Sequence, residues 1–358
     1  MPELIKYSVG IDVSKDKLDA CFCEFDIFQN VKTKSSHKFF NTINGFSELK
    51  KWLEKYKKLN LPMIICMEAT GVYYEKLALY LYQNNYSVAI VLPNKSKKYM
   101  QSLGLKSKND KIDALGLGRM AAEQKLNLWE PMGDFFYTLR QLTRHSEQLQ
   151  QSKTHFNNQL HALEHSAFEV EQVVLHQKNM ISLINEQIKE TIIAIEKQIK
   201  SNIEINQKVE NICKIKGVGL LTVSTIIAET NGFALFKNIK QLVSYSGYDV
   251  IENQSGNHSG KTKISKKGNS HIRRILHMSS FLTVRFKQKP FVDLFERVYA
   301  KTNIKMKGYV AVHKKLLVYI YTLWKKNEPY NPIIDVTSSN EESKSFFLLG
   351  SERATITV

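Results

Sequence analysis

Between residues 133 and 200 the apolar side chains of this 358-residue chain recur at alternating steps of three and four. Leu139, Leu142, Ser146, Leu149, Lys153, Phe156, Leu160 and Leu163 trace one such line, with Ser146 and Lys153 as polar interruptions. Val170, Val174, Gln177, Ile181, Ile184, Ile188, Ile192, Ile195 and Ile199 trace a second after a break near 165–169. This spacing gathers the apolar groups into one stripe of a helix, so each run predicts a long helix that must bury its stripe against another, as in a coiled coil. The two helices form either an antiparallel hairpin within the chain or a contact between copies. The segment also divides the chain, and at this length two or three domains are expected.

Residues 1–127 follow a different period. "YSVGIDV" sets Tyr7, Val9 and Ile11 on one face and Ser8, Gly10 and Asp12 on the other, the alternation of a strand. "LDACFCEF" and "SHKFFN" continue as strands of an antiparallel meander. A helix near 44–56, a buried strand "MIICME", a helix around 73–84, a strand "SVAIVL" and a helix beginning near Asp110 complete the order βββαβαβα. That order predicts an α/β domain, a mixed sheet flanked by helices, of the ribonuclease-H-like class.

After the long helices, residues 208–326 read as a mainly helical domain. "ICKIKGVGLLTVSTIIAE" gives helix, Gly-x-Gly turn, helix, a pattern of helix-hairpin-helix type. Backbone N–H groups around Lys216, Gly217 and Gly219 could hold a phosphate there, although turns need glycine for ordinary reasons too. Charge adds weight to the phosphate reading. The formal net charge is +17, and the stretch from Phe236 to Lys326 holds 19 Lys and Arg against 4 Asp and Glu. A basic block of that density is the footprint of nucleic-acid backbone binding. The tail, 327–358, with Pro329, Pro332 and a Ser/Asn/Glu cluster, reads as a flexible end. No run of about 18 apolar residues occurs and "MPELIKYSVGID" lacks a cleavable signal pattern, so a soluble cytoplasmic protein with no membrane partner is expected. The four cysteines, Cys21, Cys23, Cys66 and Cys213, have no zinc spacing and are too few for a disulfide framework.

Four carboxylates stand out against this basic background. In "KNDKIDA", Asp110 and Asp113 are three apart, which on a helix puts them on one face, roughly 5–6 Å apart at Cβ. Lys106, Lys108 and Lys111 could offset their repulsion, and a divalent cation would do so more directly; a solvated helix N-terminus favours Asp as well. Asp12 lies two residues after Gly10, whose missing side chain allows a close approach. Glu68 ends the buried strand on the face of Ile64 and Cys66. If Asp12, Glu68, Asp110 and Asp113 meet at one sheet edge, they require cations, and two Mg²⁺ roughly 3.5–4 Å apart would make a phosphoryl-transfer site.

"GIDVSKDKLDA", "MEATGVYYEKLALYLYQNNYSVAIVLPNKSKKYMQSLG", "KNDKIDALGLGRMA" and "SYSGYDVIENQSGNHSGKTKISKKGNSHIRRIL" together resemble the insertion-sequence transposases with a RuvC-like Asp-Glu-Asp-Asp domain, the bridge-RNA-guided recombinases. The resemblance spans roughly residues 5–285 in the expected order. It implies that the four acids are Asp12, Glu68, Asp110 and Asp113, and that a serine of the C-terminal domain is the nucleophile. The matching Ser-Gly step is Ser255-Gly256; Ser259-Gly260 repeats it, and Ser246 is a more distant choice. It further implies DNA ends and target as substrate, a structured guide RNA, and a homo-oligomer, dimer or tetramer. Lys261, Lys263, Lys266, Lys267, Arg273 and Arg274 follow the serine and could hold strand phosphates. Tyr73, Tyr74, Tyr245 and Tyr248 are candidates for base stacking, or for core packing. The alternative is a Holliday-junction-type endonuclease in which metal-bound water attacks; a non-catalytic DNA binder would leave the acids unexplained.

Overall fold

A computed structural model describes residues 2–104, 109–251, 254–255, 258–259 and 263–332. The chain forms two compact units, Met1–Pro131 and Met132–Val358. Lys106, Lys108, Lys261 and nearly all of the tail expected to be flexible lie outside the described residues.

The first unit begins with an antiparallel meander, β1 (Leu4–Val13), β2 (Lys17–Asp26) and β3 (Val31–Phe40). Helix α1 (Ile43–Tyr56), capped by Thr42 accepting from the Gly45 amide, carries the chain back, so that β4 (Met63–Glu68) runs parallel to β1. Helix α2 (Glu75–Gln83) does the same for β5 (Ser87–Val91), and the sheet order is β3-β2-β1-β4-β5. This is the mixed sheet that the alternating pattern predicts. Two helices close the unit, α3 (Pro93–Ser102) and α4 (Asp110–Glu123). Helix α3 has no counterpart in the sequence reading, because "PNKSKKYMQS" buries only Ser96 and Tyr99. Pro93 at its first position was the available signal.

Tyr7, Val9 and Ile11 join Phe22, Leu49, Leu53, Leu77 and Leu81 in one core beneath α1 and α2. The opposite face is covered too. Ser8 is fully buried, and Cys66 and Ala89 pack with Leu117, Met120 and Ala121 of α4, while Cys21 and Cys23 pack with Ala114. The polar face of β1 therefore carries small residues under a helix rather than a solvent-facing row. Gly10 shows why: a Cβ there would overlap the Ala114 carbonyl oxygen and the Gly118 amide nitrogen. Helix and strand touch backbone to backbone.

In the second unit, α5 (Asp134–Glu164) and α6 (Glu171–Lys200) make an antiparallel hairpin. At its base, Gln198 Nε2 donates to the Phe135 carbonyl at 3.1 Å; farther out, Leu149 packs with Ile184 and Ile188; near the tip, Lys178 pairs with Glu164 at 3.8 Å. Leu139, Ser146 and Leu149 of the first seam are buried, whereas Lys153, Phe156, Leu160 and Leu163 are only half-buried toward the tip. Then follow α7 (Ile203–Cys213), α8 (Leu220–Glu229) and α9 (Ile239–Tyr245). Four two-residue strands come next: β6 (Val250–Ile251), β7 (Gln254–Ser255), β8 (His258–Ser259) and β9 (Lys263–Ile264). Helices α10 (Ser270–Arg285), α11 (Lys289–Thr302) and α12 (Lys305–Lys326) end the described chain. Leu139, Ile195 and Ile199 at the hairpin base share one core with Ile212, Val223, Ile227, Leu276 and Leu316. Gly217, at φ +101°, turns the chain between α7 and α8, and its backbone lies against Leu282 and Thr283 of α10.

A polar network fixes the hairpin to α8 and α10. Arg144 donates to both oxygens of the Glu229 carboxylate, at 2.7 and 2.9 Å, and Asn269, which caps α10, donates to the same carboxylate at 2.7 Å. Glu229 is 1% exposed. Its burial pushes the carboxyl up, and the bonds from Arg144 and Asn269 more than reverse this, leaving it below the usual range.

Two stability measurements follow. Gly10→Ala should lower unfolding free energy by roughly 2–3 kcal/mol, since α4 must lift off β1; an unchanged thermal midpoint would contradict the contact. Arg144→Ala should cost about 3 kcal/mol by stranding a buried carboxylate, read in the same denaturation experiment, with a loss below about 0.5 kcal/mol contradicting it.

Candidate active site

Asp12 is the last but one residue of β1, and antiparallel pairing sets it opposite Asp19 of β2, which is in turn opposite Lys38 of β3. On the other side, Ile11 stands opposite Met67 of β4, so Glu68 is one step further along the same edge. Asp110 and Asp113 occupy the first turn of α4, whose N-cap Asn109 accepts from the Ile112 amide. Because Ala114 and Gly118 of that helix sit on Gly10, two residues before Asp12, the first turn is held beside the strand end.

The electrostatics show which acids this brings together. Burial, and then the carboxylates of Asp113, Asp110, Glu68 and Asp19, push Asp12 up to about 6 from 3.8. All four candidate acids thus share one field, with Asp12 at its centre. Asp12, Glu68 and Asp113 are half-buried and Asp110 is exposed. Asp19 is a fifth acid that sequence reasoning passed over. It is 6% exposed and paired with Lys38 at 3.1 Å, so its charge is already matched. Its signal was its place in "GIDVSKDKLDA", opposite Asp12 once the hairpin closes.

Glu68 is fastened from two sides. Ser96 of α3, fully buried, places its Oγ 2.5 Å from Glu68 Oε2, and Thr70 Oγ1 lies 3.4 Å from Oε1. Among the described residues no three His, Cys, Asp or Glu side chains stand close enough to cage an ion as they are. The donor set nevertheless has the chemistry of a hard divalent site: carboxylate oxygens only, around an Asp12 raised first by burial and then by the neighbouring acids.

In the second unit, Ser255 and Ser259 both lie on the small β7–β8 pairing, Ser255 opposite His258 and Ser259 opposite Gln254. The arm that carries them is closed at its base. β6 pairs with β9, Ser265 Oγ donates to Asp249 at 2.9 Å, the Lys266 amide donates to the Gly247 carbonyl at 3.1 Å, and the Asn269 amide to that of Tyr245 at 2.7 Å. Ser246 is fully buried at the end of α9, where no nucleophile could reach a substrate. Lys216, Gly219, Lys263, Lys266 and Lys267 are exposed. The two arginines have partners within the chain. Arg273 Nη1 donates to the carbonyls of Ser246 and Asn269, and Arg274 pairs with Glu147 at 2.8 Å, beside a 2.5 Å contact of His271 with the same carboxylate. Of the four tyrosines, Tyr248 is a core residue at 1% exposed, Tyr74 packs against the core of the first unit and Tyr245 is largely covered, while Tyr73 is 44% exposed.

No described helix is long and apolar enough to cross a membrane. Among solved structures, RuvC of T. thermophilus in complex with a Holliday junction substrate is similar to 34% of this chain and 99% of its own length, at 11% identity and a TM-score of 0.28. The pilin gene-inverting proteins of Moraxella bovis and Moraxella lacunata are each 27% identical over 331 residues, covering 91% of this chain and 98% of the relative. Residues 9–168 match a family model described as Transposase, and residues 209–295 match one described as Transposase IS116/IS110/IS902 family. The two matches take in more than half of the chain, one carrying the acids and the other the serine arm, and the chain belongs to this family of transposases, enzymes that recombine DNA.

Proposed function

We propose that this transposase cuts and rejoins DNA with Ser255 as nucleophile and with Mg²⁺ held by Asp12, Glu68, Asp110 and Asp113, and that a structured RNA guides it to its sites. The observation that carries the metal half is the backbone contact of Ala114 and Gly118 with Gly10, which holds the first turn of α4, with Asp110 and Asp113, beside the strand ends that bear Asp12 and Glu68; the elevation of Asp12 by burial and by the neighbouring acids accords with it. A cluster of this sign in a chain of net charge +17 wants a cation. When bound, divalent metal supplies Lewis-acid stabilisation of charge on phosphate oxygens. Asp19, the fifth acid, already has Lys38 as its counter-ion and is left out of the proposed ligand set.

The serine half rests on the family and on the placement of Ser255 on a short arm with a fixed base. Its hydroxyl oxygen attacks phosphorus and gives up its proton, one P–O bond of the DNA breaks as Ser–O–P forms, and the departing DNA oxygen takes up a proton to leave as a strand-end hydroxyl. A DNA hydroxyl then attacks the phosphoserine, restoring the serine and rejoining a strand without an external energy source. Ser259, on the facing strand, is the second choice. Lys216, Lys263, Lys266 and Lys267, with the backbone at Gly217 and Gly219, provide phosphate contacts for DNA or for the guide, and Tyr73 offers a face for base stacking. Such an enzyme acts on two DNA partners, which favours a dimer or tetramer of this chain.

Mg²⁺ should raise the thermal midpoint of the protein, and the sign of its pH dependence follows from Asp12. The raised pKa means that the folded state is free of penalty below the ordinary carboxylate range and loses stability as pH rises through about 6. The Mg²⁺ shift should therefore be larger near pH 8 than near pH 5, and Asp12→Asn, Asp110→Asn and Asp113→Asn should each diminish it and abolish strand exchange; equal shifts in wild type and variants would contradict a shared site. Ser255→Ala should eliminate the covalent protein–DNA adduct on a denaturing gel while leaving RNA retention in a mobility-shift assay within about twofold. Persistence of the adduct would move the nucleophile elsewhere.

A further inference from the structure

Ser96 is one of the two buried residues of α3, and its hydroxyl reaches an acid of the candidate site. It lies one turn into α3, fully buried, flanked by the exposed Lys95, Lys97 and Lys98, and its hydroxyl faces Glu68 across the end of β4. The Oγ is 2.5 Å from Glu68 Oε2, 2.9 Å from the Pro93 carbonyl and 3.5 Å from that of Leu92. A hydroxyl has one proton. The short contact to a carboxylate, a charge-assisted acceptor, takes that proton ahead of the two backbone carbonyls.

The consequences for Glu68 are directional. Glu68 is the last residue of β4, and β5 ends beside it at Val91, so its carboxylate is the one donor of the four acids that projects from a parallel strand end toward α3. Without a partner its side chain would rotate freely. With Oε2 tied to a buried helix residue, the plane of the carboxylate is set, and Oε1 remains, approached by Thr70 at 3.4 Å. Pro93 at the start of α3 fixes where the helix begins, and Tyr99, a turn beyond Ser96, anchors the helix by donating to Glu123 of α4 at 2.5 Å. The anchor of Glu68 is thereby connected to the helix that carries Asp110 and Asp113.

We propose that Ser96 is a positioning residue for the acidic site: it holds Glu68 by Oε2 so that Oε1 is presented to the divalent cation, without itself touching metal or DNA. This inference rests on the metal reading above. Partners that orient ligands in this way typically tune metal affinity by about tenfold or more.

The test uses the full-length protein and Mn²⁺ as the probe, with free Mn²⁺ read by electron paramagnetic resonance, alongside thermal unfolding in metal-free buffer and strand exchange as a function of Mg²⁺ concentration. Ser96→Ala removes one oxygen and adds no atom. It should raise the Mn²⁺ half-saturation concentration by about tenfold, leave the metal-free thermal midpoint near that of wild type, and show strand exchange that is weak at low Mg²⁺ and recovers at high Mg²⁺. An unchanged Mn²⁺ midpoint in Ser96→Ala, with Glu68→Gln still weakening binding, would overturn the inference and leave the metal site standing. A fall in metal-free stability with no recovery at high Mg²⁺ would make Ser96 a packing residue and overturn it as well. Absence of Mn²⁺ binding by wild-type protein would overturn both the inference and the metal reading beneath it.

Discussion

The backbone contact between Gly10 and helix α4 is the constraint on which the first unit depends. A sheet strand and a helix normally stand apart by the length of their side chains; here the strand has none at Gly10, and the helix presents Ala114 and Gly118. The close approach has two effects at once. It covers the second face of the sheet with Leu117, Met120 and Ala121, and it draws the first turn of α4, with Asp110 and Asp113, up to the strand end at Asp12. Packing and chemistry are therefore the same interaction. A larger residue at position 10 would open the sheet face and disperse the acids together.

The resulting cluster is unfavourable by itself, and the protein tolerates it selectively. One of the five acids, Asp19, has a fixed counter-ion in Lys38, and Glu68 is held by hydroxyls rather than by charge. Neither device offsets the burial of Asp12 and the carboxylates around it, which together leave it at about 6. On the proposed reading, a divalent ion arriving from solution would match the charge that the cluster gathers around Asp12. In the second unit the opposite choice is made: Glu229 is matched by Arg144 and Asn269, and Glu147 by His271 and Arg274, so these acids serve as ties between helices.

Much of this was legible in the sequence where a period was strong. Alternation gave β1 and the meander, the steps of three and four gave the two long helices, and the spacing of Asp110 and Asp113 gave one helix face. What was not legible depended on pairs of residues that only the fold brings near. Helix α3 is too polar to announce itself, so Ser96 went unseen. Asp19 is an ordinary acid until β2 turns back on β1. Arg273 and Arg274 read as phosphate contacts from charge alone, because no pattern in the sequence reveals that a carbonyl or Glu147 stands beside them. Tyr248 could be read as a stacking aromatic or as a core one for a similar reason, its burial being set by helices distant in sequence.

The central claim is that Gly10 and α4 assemble Asp12, Glu68, Asp110 and Asp113 into a binding place for a divalent ion. The most direct measurement is anomalous scattering from crystals of the protein grown with Mn²⁺. The account predicts an anomalous peak at the carboxyl end of β1 and β4, within coordination distance of Asp12 and at least one acid of α4. Strong peaks found only elsewhere, with these carboxylates bonded to lysines or water, would contradict it.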